Sequence, residues 1–230
     1  MAGEEQLTSY TPPVTDRKPV EVVFTYLAVP LIGYLIGSVP AGYIAGRVGG
    51  VDIRSVGSGN VGATNVLRVL GKRYGYPVFV FDFLKGAAAV EMSMLISGVG
   101  HGAQMNRDLC AILGGVSCVI GHSYPVWLRF KGGKGVATSA GAVFALIPVA
   151  GLIVGVVWIV TFEVSRYVSL ASIAAVVALP ITVGTMLYLE KINGPVFLYF
   201  SICLALVVVW RHRSNLSRLK QGTEQPFRPK

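Results

Sequence analysis

The chain alternates between long apolar runs and short polar segments rich in glycine. Apolar runs occupy 23–46, 76–98, 109–128, 168–189 and 195–210. Several approach the ~20 residues with which an α-helix crosses a bilayer. No run shows the period-two alternation of a membrane strand, so a closed barrel is not indicated. A further apolar stretch, 137–164, is divided by Pro148 into pieces of 11 and 16 residues. As helices these reach roughly 16 and 24 Å, each short of a ~30 Å hydrocarbon core.

Charge decides how that divided stretch is counted. If it is two crossings, or a hairpin that dips and returns, then 47–75, 129–136, 165–167 and the tail 211–230 fall on one side. Every Lys and Arg except Arg17, Lys18, Arg107 and Lys191 then lies on that side or, like Lys85, at a span end facing it. If it is one crossing, the basic tail changes sides and the asymmetry disappears. The positive-inside rule favours the pair. The pattern therefore predicts an all-α polytopic membrane protein with about seven transmembrane helices, some short or broken. Its N-terminus would lie outside, its C-terminus in the cytoplasm, and its polar segments on the cytoplasmic face of the inner membrane.

Composition agrees: 53% of residues are hydrophobic and 13% charged, against roughly 25% charged in soluble domains. The net charge of +9 suggests nucleic acid only in a soluble chain. Here the basic residues flank spans, so the expected surroundings are membrane lipid and no nucleic acid. Residues 1–21, with Glu4, Glu5 and three prolines, read as a solvated tail rather than a signal peptide. Residues 22–224 form a single membrane domain, and 225–230 a C-terminal tail. Cys110, Cys118 and Cys203 all lie in apolar runs, which fits small buried residues and neither a disulfide frame nor a metal site. No metal or cofactor is expected.

Three polar segments carry candidate chemistry. Phe130-Lys-Gly-Gly-Lys-Gly135 joins two apolar runs, and its three glycines and two lysines suit a phosphate cradle. It lacks the GxxxxGK[ST] spacing of nucleotide hydrolases. Gly57 to Gly75 offers Ser58, Asn60, Thr64, Asn65 and Arg68, which suit polyol oxygens and phosphate. The plain alternative is an interfacial helix with Arg68, Lys72 and Arg73 on lipid headgroups. The third segment follows Trp210, with His212 and Asn215 three residues apart and so on one helical face. Snorkelling anchors account for its arginines but not for the His and Asn. His122 reads as a structural histidine. Asp82 and Lys85 admit a simple i,i+3 ion pair at a span end. Glu91, part-way into a span, should face protein or water rather than lipid.

Together these segments resemble the bacterial membrane glycerol-3-phosphate acyltransferases that use acyl phosphate as donor. Ser58 to Arg68 matches a motif SGNxGATNxLR, Gly121 to Thr138 matches GHxxPxxxxFKGGKGVAT, and Arg211 to Glu224 matches RHxxNxxRLxxGxE. Asp82-Phe-Leu-Lys85-Gly86 matches DxxKG, and the likeness runs from about Leu31 to Glu224. The resemblance implies transfer of a fatty acyl group from acyl phosphate to the 1-hydroxyl of sn-glycerol 3-phosphate. The products would be lysophosphatidic acid and phosphate, in the first step of phospholipid synthesis. It implies that Ser58, Arg68, Lys134, His212 and Asn215 hold glycerol 3-phosphate, with Asn60, Thr64 and Asn65 shaping that pocket. Lys131, Gly132, Gly133 and Gly135 would hold the acyl-phosphate head, with Asp82 and Lys85 also among the substrate-binding residues. It also implies a hand-off from an enzyme that makes acyl phosphate.

The residues weigh against the rivals. A transporter of a phosphorylated anion would place its polar groups near the midplane of an internal repeat, and no repeat is visible. A metal-dependent phosphatidyl-alcohol transferase would need clustered aspartates, of which the chain has four in all. The HxxxxD pair of soluble-type acyltransferases is absent, because no aspartate lies five residues after His101, His122 or His212. A substrate phosphate as proton acceptor is consistent with that absence.

Overall fold

The computed structural model describes residues 19–98 and 104–227, and among them every regular element is a helix. In chain order these are α1 (Pro19–Ser38), α2 (Ala41–Val48), α3 (Ala63–Leu70), α4 (Lys72–Gly98) and α5 (Gln104–Ser123). They continue with α6 (Val136–Leu146), α7 (Pro148–Ser165), α8 (Val168–Tyr188), α9 (Val196–Arg211) and α10 (Arg213–Lys220). The expected tail 1–21 lies almost wholly outside the described residues.

Among the described residues, four segments are long and apolar enough to cross a membrane: Val23–Val48, Arg107–Leu128, Pro148–Ser165 and Val168–Tyr188. A fifth is added if α9 and α10, bent by 56°, count as one. α4 is not among them, because Asp82, Lys85 and Glu91 interrupt its apolar stretch. It is instead central, packing against α1, α3, α5 and α6.

Prolines set three of the breaks. The expected span 23–46 is two helices, because Pro40 has no N–H to donate and disfavours helix at Val39. α5 stops at Ser123, two residues before Pro125, rather than running to Leu128. Ile147 (φ −141°) separates α6 from α7, with Pro148 in the first position of α7. Only α6, at 11 residues, is short of a crossing; α7 has 18 and is longer than the sequence suggested. Lys72 and Arg73 open α4, beyond the left-handed Gly71 (φ 79°) that ends α3, so they do not share a helix with Arg68.

Close approach at glycine brings the helices together. A Cβ at Gly86 of α4 would lie 2.1 Å from the Thr138 carbonyl oxygen, and one at Gly141 of α6 would lie 1.9 Å from that of Phe83. Small residues of this kind let membrane helices pack backbone to backbone. The main core joins α5 to α9 through Val119, Val143, Leu179 and Leu204, among others. A separate small core of Ile53, Val61, Val66, Val78 and Leu128 sits beneath the first polar loop. α7 turns Leu152, Val156 and Val160 outwards, as a lipid-facing helix does. Glu91 also lies on an exposed face of its helix, not inside the bundle.

Candidate functional site

The first polar loop is tied from within. Asn65, fully buried at the start of α3, donates its amide N–H groups to the carbonyls of Ile53 (3.1 Å), Val56 (3.1 Å) and Asn60 (2.9 Å). Its Oδ1 accepts the Ser58 N–H at 2.8 Å. Gly57 and Gly59 adopt left-handed φ of 60° and 70°, and Asn60 Oδ1 accepts the Gly62 N–H at 2.7 Å. The side chain of Asn65 thus shapes the loop from inside, while Ser58 is exposed and Asn60, Thr64 and Arg68 are part-exposed.

The second loop folds back on the end of α5. Gly132 N–H donates to the Ser123 carbonyl and Gly133 N–H to that of His122, both at 3.1 Å. These two N–H groups therefore serve the loop's own fold. Their missing Cβ atoms serve packing: at Gly132 one would lie 2.2 Å from the His122 oxygen, and at Gly133 2.1 Å from His122 Nε2. The groups left to face an anion are the first N–H groups of α6, which opens after the left-handed Gly135 (φ 77°), and the Lys134 ammonium. Lys131 is exposed.

The third segment crosses to the second. α9 ends at Arg211, the chain bends at His212, and α10 begins. The Arg211 guanidinium donates to the carbonyls of Gly133 (2.6 Å), Gly132 (3.3 Å) and Ser123 (3.4 Å), and lies 4.8 Å from the Tyr124 ring centre. It is a clamp on the glycine loop, not the snorkelling anchor that the sequence allowed. His212 is buried with Nδ1 2.8 Å from the Val208 carbonyl. A carbonyl only accepts, so the proton sits on Nδ1 and Nε2 keeps its lone pair.

Lys134 Nζ donates to Asn215 Oδ1, and Asn215 Nδ2 donates to Glu224 Oε1 at 2.6 Å. Glu224 also accepts from Ser169 (2.9 Å) and from Arg218 Nε (2.7 Å). Phe227 pins this end of the chain, its N–H donating to the Arg166 carbonyl at 2.8 Å and its ring packing on Phe162. Residues 225–227 are therefore docked rather than a free tail. Burial pushes the Lys134 ammonium down to about 8; Glu224 opposes this, while Arg218, Arg211 and Arg68 add to it. Burial alone would raise the Glu224 carboxyl, but hydrogen bonds from Asn215, Arg218 and Ser169 hold it below its ordinary value.

Arg68, Lys134, His212 and Asn215 thus belong to one electrostatic neighbourhood built from three separate segments. Asp82 and Lys85 lie elsewhere, buried between α4, α5 and the α1–α2 break. Sequence reasoning passed over Arg211, Arg218, Glu224 and Ser169 as functional groups. The first three stand inside the third motif, which was their only signal; Ser169 had none.

A bundle of apolar helices with a basic cluster at its helix ends is the build of a multi-pass membrane protein. A family model described as glycerol-3-phosphate acyltransferase matches residues 27–222. A relative from Desulforamulus reducens bearing that name is 42% identical over 204 residues, covering 88% of this chain and 96% of its own. One from Aquifex aeolicus, of the same name, is 42% identical over 202 residues, covering 87% and 98%. Crystal structures of PlsY, an integral membrane glycerol 3-phosphate acyltransferase, superpose with TM-scores of 0.76 (glycerol 3-phosphate form) and 0.74 (lysophosphatidic acid form). Each is 40% identical and covers 88% of this chain and 95% of its own. This chain belongs to the glycerol-3-phosphate acyltransferase family and is an acyltransferase of phospholipid synthesis.

Proposed function

We propose that the chain transfers a fatty acyl group from acyl phosphate to the 1-hydroxyl of glycerol 3-phosphate, at the cytoplasmic face of the inner membrane. The observation that carries this reading is the convergence of Arg68, Lys134 and Asn215, from three segments, beside the N-terminus of α6. Both substrates are phosphorylated, and both need charge neutralisation where water meets lipid. Arg68, Lys134, Ser58, His212 and Asn215 hold glycerol 3-phosphate, with Asn60 and Thr64 at the pocket wall. Lys131 and the α6 N-terminus hold the acyl-phosphate head.

The hydroxyl oxygen attacks the acyl carbonyl carbon, a new C–O ester bond forms, and the C–O bond to phosphate breaks. The hydroxyl proton passes to a phosphate oxygen, and inorganic phosphate leaves. Acyl phosphate is already activated, so positioning and charge stabilisation supply the catalysis. The donor's long chain keeps it in the membrane, which suits direct delivery from the enzyme that makes it.

The helices α1, α4, α5, α6, α7, α8 and α9 give seven crossings, with α6 short, the N-terminus outside and the C-terminus inside. This parity puts the Ser58 loop, the Gly132 loop and α10 on one side, as the charge asymmetry requires. Purified protein should release phosphate when given acyl phosphate and glycerol 3-phosphate without added metal. Equal turnover with acyl-CoA would overturn the donor assignment. Cysteines placed in the two loops and in α10 should be labelled only from the cytoplasmic side, and labelling of α10 from outside would overturn the topology.

A further inference from the structure

Asp82, Lys85 and His122 form a buried polar cluster that touches none of the groups just described except one. All three are less than a tenth exposed. Asp82 Oδ1 lies 2.7 Å from Lys85 Nζ and 3.4 Å from His122 Nδ1, both ion-pair contacts without hydrogen-bond alignment. Lys85 Nζ donates to the Val39 carbonyl at 3.0 Å, a group freed by the break before Pro40. Three elements meet here: α4, the end of α5, and the α1–α2 junction. An exposed i,i+3 pair would add little, but a buried one carries a desolvation cost that apolar residues would avoid. Stability alone does not account for it.

The exception is the glycine loop. The His122 ring has Asp82 at Nδ1 and Gly133 at Nε2, where a Cβ would come within 2.1 Å. The His122 carbonyl accepts the Gly133 N–H at 3.1 Å. No substrate hydroxyl can approach Nε2, so the Asp–His pair is not a general base. It is a support whose outer end is the loop next to Lys134.

We propose that Asp82 is a positioning residue for acyl transfer: with its charge balanced by Lys85, it orients the His122 ring, which sets the seat of the Gly132–Gly135 loop. Asp82 then acts through His122 and does not bind substrate, and Lys85 serves to balance its buried charge. This inference rests on the assignment of that loop to the acyl-phosphate head.

Two uncharged pairs test it, both chosen so that no buried charge is left alone. Asp82→Asn with Lys85→Met keeps an acceptor for His122 Nδ1–H; Asp82→Leu with Lys85→Met removes it. The Asn pair should keep kcat/KM for acyl phosphate within about fivefold of the unaltered protein. The Leu pair should lose about 30- to 100-fold, and adding His122→Asn to it should cost less than a further twofold, because the support is already gone. Equal activity in the two pairs, or a full additional loss from His122→Asn, overturns the proposal. Nitrogen-15 histidine spectra of the unaltered protein provide a check independent of any variant: His122 should be protonated at Nδ1, and a bare Nδ1 overturns it. Failure of the unaltered protein to use acyl phosphate would instead defeat the reaction assigned above.

Discussion

The loop between Gly49 and Gly62 is tied by Asn65 of the helix that follows it, whereas the Gly132–Gly135 loop takes its shape from far along the chain. In the first, Ile53 and Val61 are buried beneath the loop, and Asn65 satisfies three of its carbonyls and one N–H. In the second, the carbonyls are held by Arg211, some 78 residues away, and the glycines rest on the end of α5. Arg68, on the helix that follows the first loop, and Lys134 of the second belong to one cationic cluster. The difference shows two routes to preorganisation: a knot tied by a residue close in sequence, and a clamp supplied from a distant helix. The clamped loop also carries the lysine whose charge is most perturbed.

The largest effect should come from cutting the knot. Asn65→Ala leaves several buried polar groups without partners, each costing ~1–3 kcal/mol. Turnover should fall by more than about 100-fold, with amide exchange raised over 53–66 and unchanged over 122–135. Asn65→Asp should not rescue it, since a carboxylate cannot donate to the three carbonyls. Equal loosening of both loops would erase the distinction between them.

Next in size is the loss of a cation. A hydrogen bond to a charged group contributes roughly 1.5–3 kcal/mol, so Arg68→Ala and Lys134→Ala should each lower kcat/KM about 10- to 150-fold while the protein still inserts and purifies. Arg73, exposed near the start of α4, is the control, and Arg73→Ala should remain near the unaltered rate. Equal losses at Arg68 and Arg73 would reduce all these residues to membrane anchors.

The clamp should be the next most sensitive. An ammonium cannot reach three carbonyls as one guanidinium does, so Arg211→Lys should cost about 5- to 20-fold, and exchange should rise over 130–135 only. Disturbance of the first loop by the same variant would show that the two are not built separately.

The smallest effect is one of pH. Lys134 titrates near 8 in the free protein, and a bound phosphate raises that value, so binding is strongest with the lysine charged. Affinity for glycerol 3-phosphate should be full below pH 8 and fall, at most about tenfold per unit, as pH rises above it. The substrate's second phosphate ionisation, near 6, imposes the opposite slope at the acid end. A kcat/KM profile flat from pH 7 to 9.5 would show that Lys134 is not the titrating group.

Much of this was legible before any coordinates. Pro148 marked the break between α6 and α7 because its backbone limits are local. Pro40 carried the same signal inside an apolar run and was read through, since periodicity does not distinguish one bent span from two helices. The three motifs pointed to the basic site, yet the linear string could not separate residues that face it from those that build it: Asn60 and Asn65 look alike, and only one is fully buried. Glu224 and Arg211 appeared as motif letters without a task.

By itself the sequence determined the helical membrane class, the family and the segments that bear the chemistry. Those properties depend on hydrophobic run length and on residue types at short spacing, both of which act within one stretch of chain. Tertiary structure alone decided that Arg211 would hold the glycine loop, that Glu224 would back Asn215, and that Asp82 would meet His122. Each of those contacts joins different helices. Their partners are selected by burial, because a charge or amide removed from water must find whichever complementary group the packed bundle brings within about 3 Å.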